Sequence, residues 1–372
     1  MTSKRTLGLL FGGRSCEHEV SVTSARSVLA AVDQGRYDIV LIGIDKEGYW
    51  HTGPDLEGLT RGKEVRELAG PGESAGGALV SMALHHQGNL TSSTPQPKPA
   101  PQLDVIFPVL HGTFGEDGTI QGVLEMAGIP YVGCGVAASS LAMDKALARQ
   151  VFAAAGIPQA PWMVLHRNTW DDHGPEMMRQ ALEDLGLPIF AKPANLGSSV
   201  GVGKAHDPGE LDACIRDAFR YDNKVVIEQS MENCQEVECA VLGNQSPEAS
   251  VVGEIIPGAE FYDYQTKYID DRSRTLIPAD IPDHAAERVR ELSVQAFRAI
   301  DGSGLARVDF FVHHETREVY LNEINTLPGF TPISMYPKLW EASGIPYAAL
   351  IDRLVDLALE RHAMGSLLKR SF

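Results

Sequence analysis

Apolar positions in the first third of the chain fall into short runs separated by polar stretches. Residues 6–11 and 37–44 read as buried strands, and residues 20–32 between them read as a helix opened by Ser21 or Thr23. A strand-helix-strand unit of this kind builds a parallel sheet. Further runs predict a strand over 104–110, a short helix over 119–127 and a strand over 131–134. Between them, residues 70–101 are rich in Gly, Ser and Pro around a short apolar stretch, and predict a variable excursion with one hairpin.

Beyond residue 138 the pattern changes. Residues 139–155 predict a helix capped by Ser139 or Ser140, followed by strands over 187–192, 225–229 and 235–242. Residues 285–300 form an amphipathic helical pattern with Val289, Leu292, Ala296 and Ile300 on one face. A closing helix covers 347–359, and residues 365–372 are expected to fray. Residues 260–278 are polar and aromatic without clear periodicity. A loop of that length inside a domain is usually a functional lid, with Lys267 and Tyr268 as its working tips.

The most informative pattern lies at 305–330. Two β-rich runs, 305–312 and 318–324, flank a polar turn, so they predict a hairpin. Side chains alternate between the faces of a strand, which places Arg307 with Asp309 and Glu323 with Asn325. A turn centred near Thr316 sets Asp309 opposite Glu323 and Arg307 opposite Asn325. Facing carboxylates repel unless a cation lies between them, and two carboxylates with an amide are the oxygen donors a hard divalent cation takes. A wet, exposed hairpin face explains the same residues, and the pattern alone leaves both readings open.

Several loops follow predicted strands, where open α/β sheets collect ligands. The loop after the first strand contains Glu17, either a holder of an ammonium group or a solvated acid. His111 begins the Gly-rich stretch HGTFGEDG, as a substrate contact or a structural histidine. Lys192 precedes PANLGSSVGVG, whose small residues permit main-chain N–H groups to wrap phosphate oxygens. This is not a Walker A loop, and the first loop lacks the G-x-G-x-x-G of dinucleotide folds. Glu228 ends a strand and suits the amine and ribose of a nucleotide, or simply water, while Glu236 and Glu238 share a strand face that suits a ribose hydroxyl or solvent.

Charge narrows the partners. The 372 residues carry a formal net charge of -17, which disfavours any general nucleic-acid or anionic-membrane surface and requires a local cationic pocket for an anionic substrate. Five cysteines without a C-x-x-C pair fit a reducing cytosol. The apolar run after Lys4 and Arg5 is too short for a signal peptide, and no stretch has transmembrane length.

In their joint order, the motifs LLFGGRSCEHEVS, PVLHGTFGEDGTIQG, MDK, KPANLGSSVGV, YDYQTKY, ARVDF and NEINTLPGFTPIS closely resemble the D-alanine:D-alanine ligases of the ATP-grasp superfamily. The resemblance runs over nearly the whole chain. It implies an α/β protein built from α+β modules in a three-domain ATP-grasp architecture: an N-terminal parallel-sheet domain over 1–138, a central small domain over 139–230, and a C-terminal domain over 231–372 with its lid. ATP would lie between the last two.

The implied reaction phosphorylates the carboxylate of one D-alanine, and the amine of a second then attacks the acyl phosphate, for peptidoglycan precursor synthesis. Carried over by motif, Asp309, Glu323 and Asn325 would hold two Mg²⁺, with Mn²⁺ as an alternative. Lys145 and Lys192 would meet ATP phosphates, Glu228 and Glu236 the adenine amine and ribose, and the Ser198 and Ser199 region would cover the phosphates. Glu17 would hold the first ammonium, linked through Ser198 to Tyr268, while Lys267 closes over the γ-phosphate. Arg307 and the Gly329 amide would stabilise the oxyanion, His111 would touch substrate, and Ser334 with Met335 would receive the second D-alanine. Ester-forming relatives resemble the family but carry Phe at the position of Tyr268, so Tyr268 implies an amide product. The resemblance also implies a cytoplasmic homodimer. A ligase for another carboxylate and amine, or a non-catalytic nucleotide-binding regulator, are the rival readings. The four polar hairpin residues together argue against the second.

Overall fold

A computed structural model describes residues 4–52, 78–82, 90–92, 102–256 and 274–369, the two short middle segments as backbone only. Its described elements form three sheets. Lys267 and Tyr268, and nearly all of the expected lid, lie outside the described residues.

The first sheet has the strand order β5-β4-β3-β2-β1-β6. Strand β1 (Arg5–Gly12) pairs in parallel with β2 (Tyr37–Ile44) and β6 (Val105–Pro108). The remaining strands, β3 (Trp50–Thr52), β4 (Ala78–Met82) and β5 (Leu90–Ser92), continue it antiparallel, so the expected excursion contributes one hairpin to the sheet edge. Helix α1 (His18–Ala31) joins β1 to β2, and α2 (Thr119–Ala127) covers the opposite face. Burial on both faces explains the unbroken apolar run of β1: Leu7, Leu9 and Phe11 enter one core and Leu10 the other.

Helices α3 (Val136–Met143) and α4 (Lys145–Ala154) lead into the second sheet. Its order is β7-β10-β8-β9, from β7 (Trp162–His166), β8 (Ile189–Pro193), β9 (Gly203–Ala205) and β10 (Lys224–Gln229). Helices α5 (Arg167–Leu185) and α6 (Pro208–Ala218) bury its apolar face, where Leu165, Ile189, Val225 and Ile227 meet Leu211 and Ile215.

The third sheet is antiparallel, in the order β13-β12-β11-β14-β15. It comprises β11 (Cys234–Gly243), β12 (Glu248–Ile256), β13 (Arg274–Leu276), β14 (Gly304–His313) and β15 (Val319–Asn325). One face packs on α7 (Asp283–Ala299), burying Val237, Cys239, Val308 and Phe310 against Leu292 and Ala296. Helices α8 (Met335–Ala342) and α9 (Tyr347–Ser366) return the chain to the first sheet. Phe330 pins that junction: its ring meets Phe107 edge-on at 5.4 Å and stacks on Tyr347 at 6.2 Å. Among the described residues no helix is long and apolar enough to cross a membrane.

Four expectations need correction. Residues 131–134 make one isolated bridge, Tyr131 to Ile106, rather than a strand. The helix expected over 139–155 is two, because Asp144 leaves helical geometry and caps α4 by accepting from the N–H groups of Ala146 and Leu147. Neither Ser21 nor Thr23 caps α1, which begins at His18; the Ser21 hydroxyl accepts from Gly12 N–H and donates to Val109 O instead. The closing helix runs on to Ser366, past the expected end at 359 and into the first two of the residues expected to fray.

Candidate active site

The polar face of the third sheet is the floor of a cavity of about 340 Å³. Strand register explains why its charges converge. Glu238 of β11 pairs with Asp309 of β14, which pairs with Glu323 of β15, so three carboxylates form a row across three neighbouring strands. Arg307 pairs with Asn325 one step along.

A bulge creates this alignment. Near the turn Val312 faces Val319 and Phe310 faces Leu321; that register, continued, would set Asp309 against Asn322 and Arg307 against Ile324. The irregularity between Asp309 and Phe310 leaves Asn322 as the extra residue. Asn322, Glu323 and Asn325 consequently all line the cavity, while Leu321 stays in the core.

Arg307 is the counter-charge to the row. Its Nε and Nη2 donate to the two oxygens of Asp309, both at 2.7 Å, and Nε lies 3.1 Å from Glu238. Burial alone would lower the guanidinium pKa, but Asp309 and Glu238 more than reverse this and hold it charged. Among the described residues this guanidinium faces a row of three carboxylates, an acidic setting that suits added cations. Among the described residues no trio of His, Cys, Asp or Glu is closed up as a metal centre. The donors present are carboxylates and an amide, the partial set that Mg²⁺ completes with water and phosphate oxygens.

The opposite wall comes from the first sheet. Gly12 has φ +89°, and a side chain there would run into the Ile44 carbonyl, so glycine is needed where β1 turns toward α1. The loop delivers Glu17, which is 6% exposed. Its carboxylate accepts a short hydrogen bond from Ser198 Oγ. Gly112 approaches so closely that a Cβ on it would lie 2.6 Å from Glu17 Oε2. His111 is buried, with Nδ1 3.2 Å from Leu327 O and Nε2 3.0 Å from Ser24 Oγ. Glu116 Oε1 lies 3.6 Å from the same Nδ1. Burial raises the Glu116 pKa and neighbouring Glu17 raises it further, against the lowering effect of the His111 contact.

The loop between β8 and β9 forms the third side. Ser198 (φ +52°) and Ser199 (φ +57°) are both left-handed, a conformation costing about 1–2 kcal/mol for each non-glycine residue. Ser198 lines the cavity; Ser199 does not. Lys145 also lines it and donates from Nζ to Leu196 O at 2.7 Å. Beside Gly329, Thr331 N–H donates to Ser334 Oγ at 3.0 Å.

Thirteen of the residues singled out in the sequence thus share one cavity: Glu17, His111, Lys145, Ser198, Glu236, Glu238, Arg307, Asp309, Glu323, Asn325, Gly329, Ser334 and Met335. Lys192 and Glu228 do not line it. The Glu228 carboxylate is buried between Arg149 and Lys192, which ion-pair with separate oxygens and, against the effect of burial, hold its pKa low. Both oxygens thus have a cationic partner, and each keeps a lone pair for a further donor such as the adenine amine read for Glu228 in the sequence. Sequence reasoning missed Glu116, Asn322 and Lys338, all on the cavity wall. Glu116 lies in the quoted HGTFGEDG stretch, and Lys338 falls one helical turn after Ser334; no sequence signal marks the bulge at Asn322.

Comparison with known proteins agrees with this geometry. The family profile described as D-ala D-ala ligase N-terminus matches residues 6–134, and that described as D-ala D-ala ligase C-terminus matches 151–356. The D-alanine--D-alanine ligase of Acetivibrio thermocellus is 49% identical over 97% of this chain and 98% of its own. D-alanine--D-alanine ligase A of Chromobacterium violaceum is 47% identical over 99% of each. The solved D-alanine-D-alanine ligase of Coxiella burnetii superposes with a TM-score of 0.85 at 34% identity, covering 98% of this chain and 96% of that one. The VanG D-Ala:D-Ser ligase of Enterococcus faecalis gives the same score and identity over 96% and 100%. The chain belongs to the D-alanine--D-alanine ligase family.

Proposed function

We propose that this enzyme joins two D-alanine molecules at the expense of ATP, releasing ADP and phosphate, to supply a cell-wall precursor. The observation that carries the reading is the meeting, in one cavity, of the acidic row with its single arginine and the Glu17 and Ser198 pair on the facing wall.

In this reading the first D-alanine places its ammonium on Glu17, which Ser198 holds in position. Its carboxylate then points toward Arg307 and takes the γ-phosphoryl group. ATP lies along Lys145 and Glu236, with the Ser198 and Ser199 loop above the phosphates. Lys192 joins them when the polyphosphate draws it from Glu228. Asp309, Glu323 and Asn325 would hold Mg²⁺, or Mn²⁺ in its place, and when bound the metal supplies charge neutralisation for the β- and γ-phosphates. The second amine, set by Ser334 and Met335, attacks the acyl carbon and phosphate leaves. Arg307 and the Gly329 N–H steady the oxyanion, where one such donor is typically worth about 2.7–4 kcal/mol. Lys267 and Tyr268 would close the site, a role read from sequence. We extend the same reading to the three-domain division at 138 and 230, a homodimer and a cytoplasmic setting.

The test is a product assay with ATP, Mg²⁺ and, separately, D-alanine, L-alanine, D-serine and D-lactate. D-alanine should stimulate ADP release and yield D-alanyl-D-alanine. Failure of D-alanine to stimulate turnover would remove the proposal.

A further inference from the structure

We propose that Lys338 is the cationic anchor for the carboxylate of the second, acceptor amino acid, a positioning role that rests on the ligase reading above. Lys338 follows Ser334 by four residues at the start of α8, so the two lie on one face, a turn apart. Both line the cavity beside Gly329 and Met335, and Lys338 is partly buried there. The other described cations of the cavity are engaged: Lys145 donates to the Leu196 carbonyl, and Arg307 grips Asp309 and Glu238. Among the described residues Lys338 has no ion-pair or hydrogen-bond partner.

Electrostatics gives this arrangement its meaning. The acceptor keeps a carboxylate throughout the reaction and must bring it into a cavity walled by Glu17, Glu116, Glu238, Asp309 and Glu323. Arg307 is held by the acidic row and lies where the donor reacts. The Ser334 hydroxyl offers direction but no charge. The Lys338 ammonium supplies the missing charge at the acceptor end, with a stem that reaches past Ser334 along the helix. Because every acceptor of this class carries the same carboxylate, Lys338 acts on acceptor affinity without choosing between amine and hydroxyl nucleophiles.

The experiment compares the unmodified chain with Lys338→Gln, Lys338→Met and Lys338→Arg, using ATP, Mg²⁺ and D-alanine, and measures saturation of the donor and acceptor sites separately. Lys338→Gln and Lys338→Met should raise the acceptor KM about tenfold or more, about 1.4 kcal/mol per factor of ten, with donor KM and saturated turnover little changed. Lys338→Arg should recover most of the loss. D-alaninamide, an acceptor without a carboxylate, should lose nothing in the Gln and Met variants, so the preference for D-alanine over the amide shrinks by the same factor. An unchanged acceptor KM, or equal losses with D-alanine and D-alaninamide, would overturn the assignment. Melting curves identify any variant that folds poorly, and the other neutral variant then decides. If the unmodified chain makes no dipeptide, the ligase reading itself fails, an outcome seen before any variant is examined.

Discussion

Arg307 reaches two residues along its own strand to Asp309 and closes a two-pronged ion pair, Nε to one oxygen and Nη2 to the other, each at 2.7 Å. Asp309 therefore has two partners to serve in the proposed reading, the guanidinium and a metal cation. Asp309→Asn removes the charge from both. Turnover should fall at least about 100-fold with a weakened response to Mg²⁺. The melting transition should also drop, by about 1.5–3 kcal/mol of stability, because among the described residues Arg307 then keeps Glu238 as its one close ion-pair partner. Denaturant titration alongside a magnesium dependence checks both halves. Lost activity with unaltered stability would mean that the ion pair contributes nothing to the fold.

Glu228 anchors a buried cluster of charge. Arg149 and Lys192 surround it, and Arg149 is itself only 4% exposed. Glu228→Gln leaves both cations short of a counter-charge, which should cost about 3–5 kcal/mol. Chemical denaturation is the measurement, and a variant as stable as the parent would mean that the cluster contributes nothing to the fold.

Gly329 is close to Ser334 for a reason of space. A Cβ at position 329 would lie 2.7 Å from Ser334 Oγ, so Gly329→Ala must displace the hydroxyl that Thr331 now holds. Acceptor KM should rise about tenfold, and stability should change by under about 1 kcal/mol. Steady-state kinetics in D-alanine, with a melting curve, separates the two effects.

Glu116 makes a prediction about pH. Its folded pKa is raised, by burial first and by Glu17 next, so the folded state binds this proton more tightly than the unfolded chain does. That stabilisation is complete below the ordinary carboxylate pKa and is lost as pH rises through the folded value. Glu116→Gln, neutral at every pH, should gain stability relative to the parent as pH climbs above about 4.5, the usual glutamate value. Melting temperatures of both proteins across that range check it, and a constant gap would contradict the assigned shift.

The hairpin was legible because strand parity is local: Arg307, Asp309, Glu323 and Asn325 could be put on one face from spacing alone, and they are. What spacing concealed was the bulge at Asn322, which shifts the register without leaving a Gly or Pro in the strand. Glu238 completes the acidic row only because β11 pairs with β14, a contact between segments about seventy residues apart. Asp144 split a helix that apolar spacing runs straight through, since a cap depends on whether the side chain turns back on its own backbone. The cations around Glu228 were hidden for a related reason. A strand-end acid looks solvent-facing until Arg149, from another element, is folded against it.

The central claim is that the first D-alanine carboxylate is phosphorylated and then surrenders an oxygen. D-alanine carrying ¹⁸O in its carboxylate, turned over with unlabelled ATP and Mg²⁺, tests this directly by mass analysis of the released phosphate. The account predicts one labelled oxygen in each phosphate formed. Phosphate released without label, while dipeptide accumulates, would contradict it.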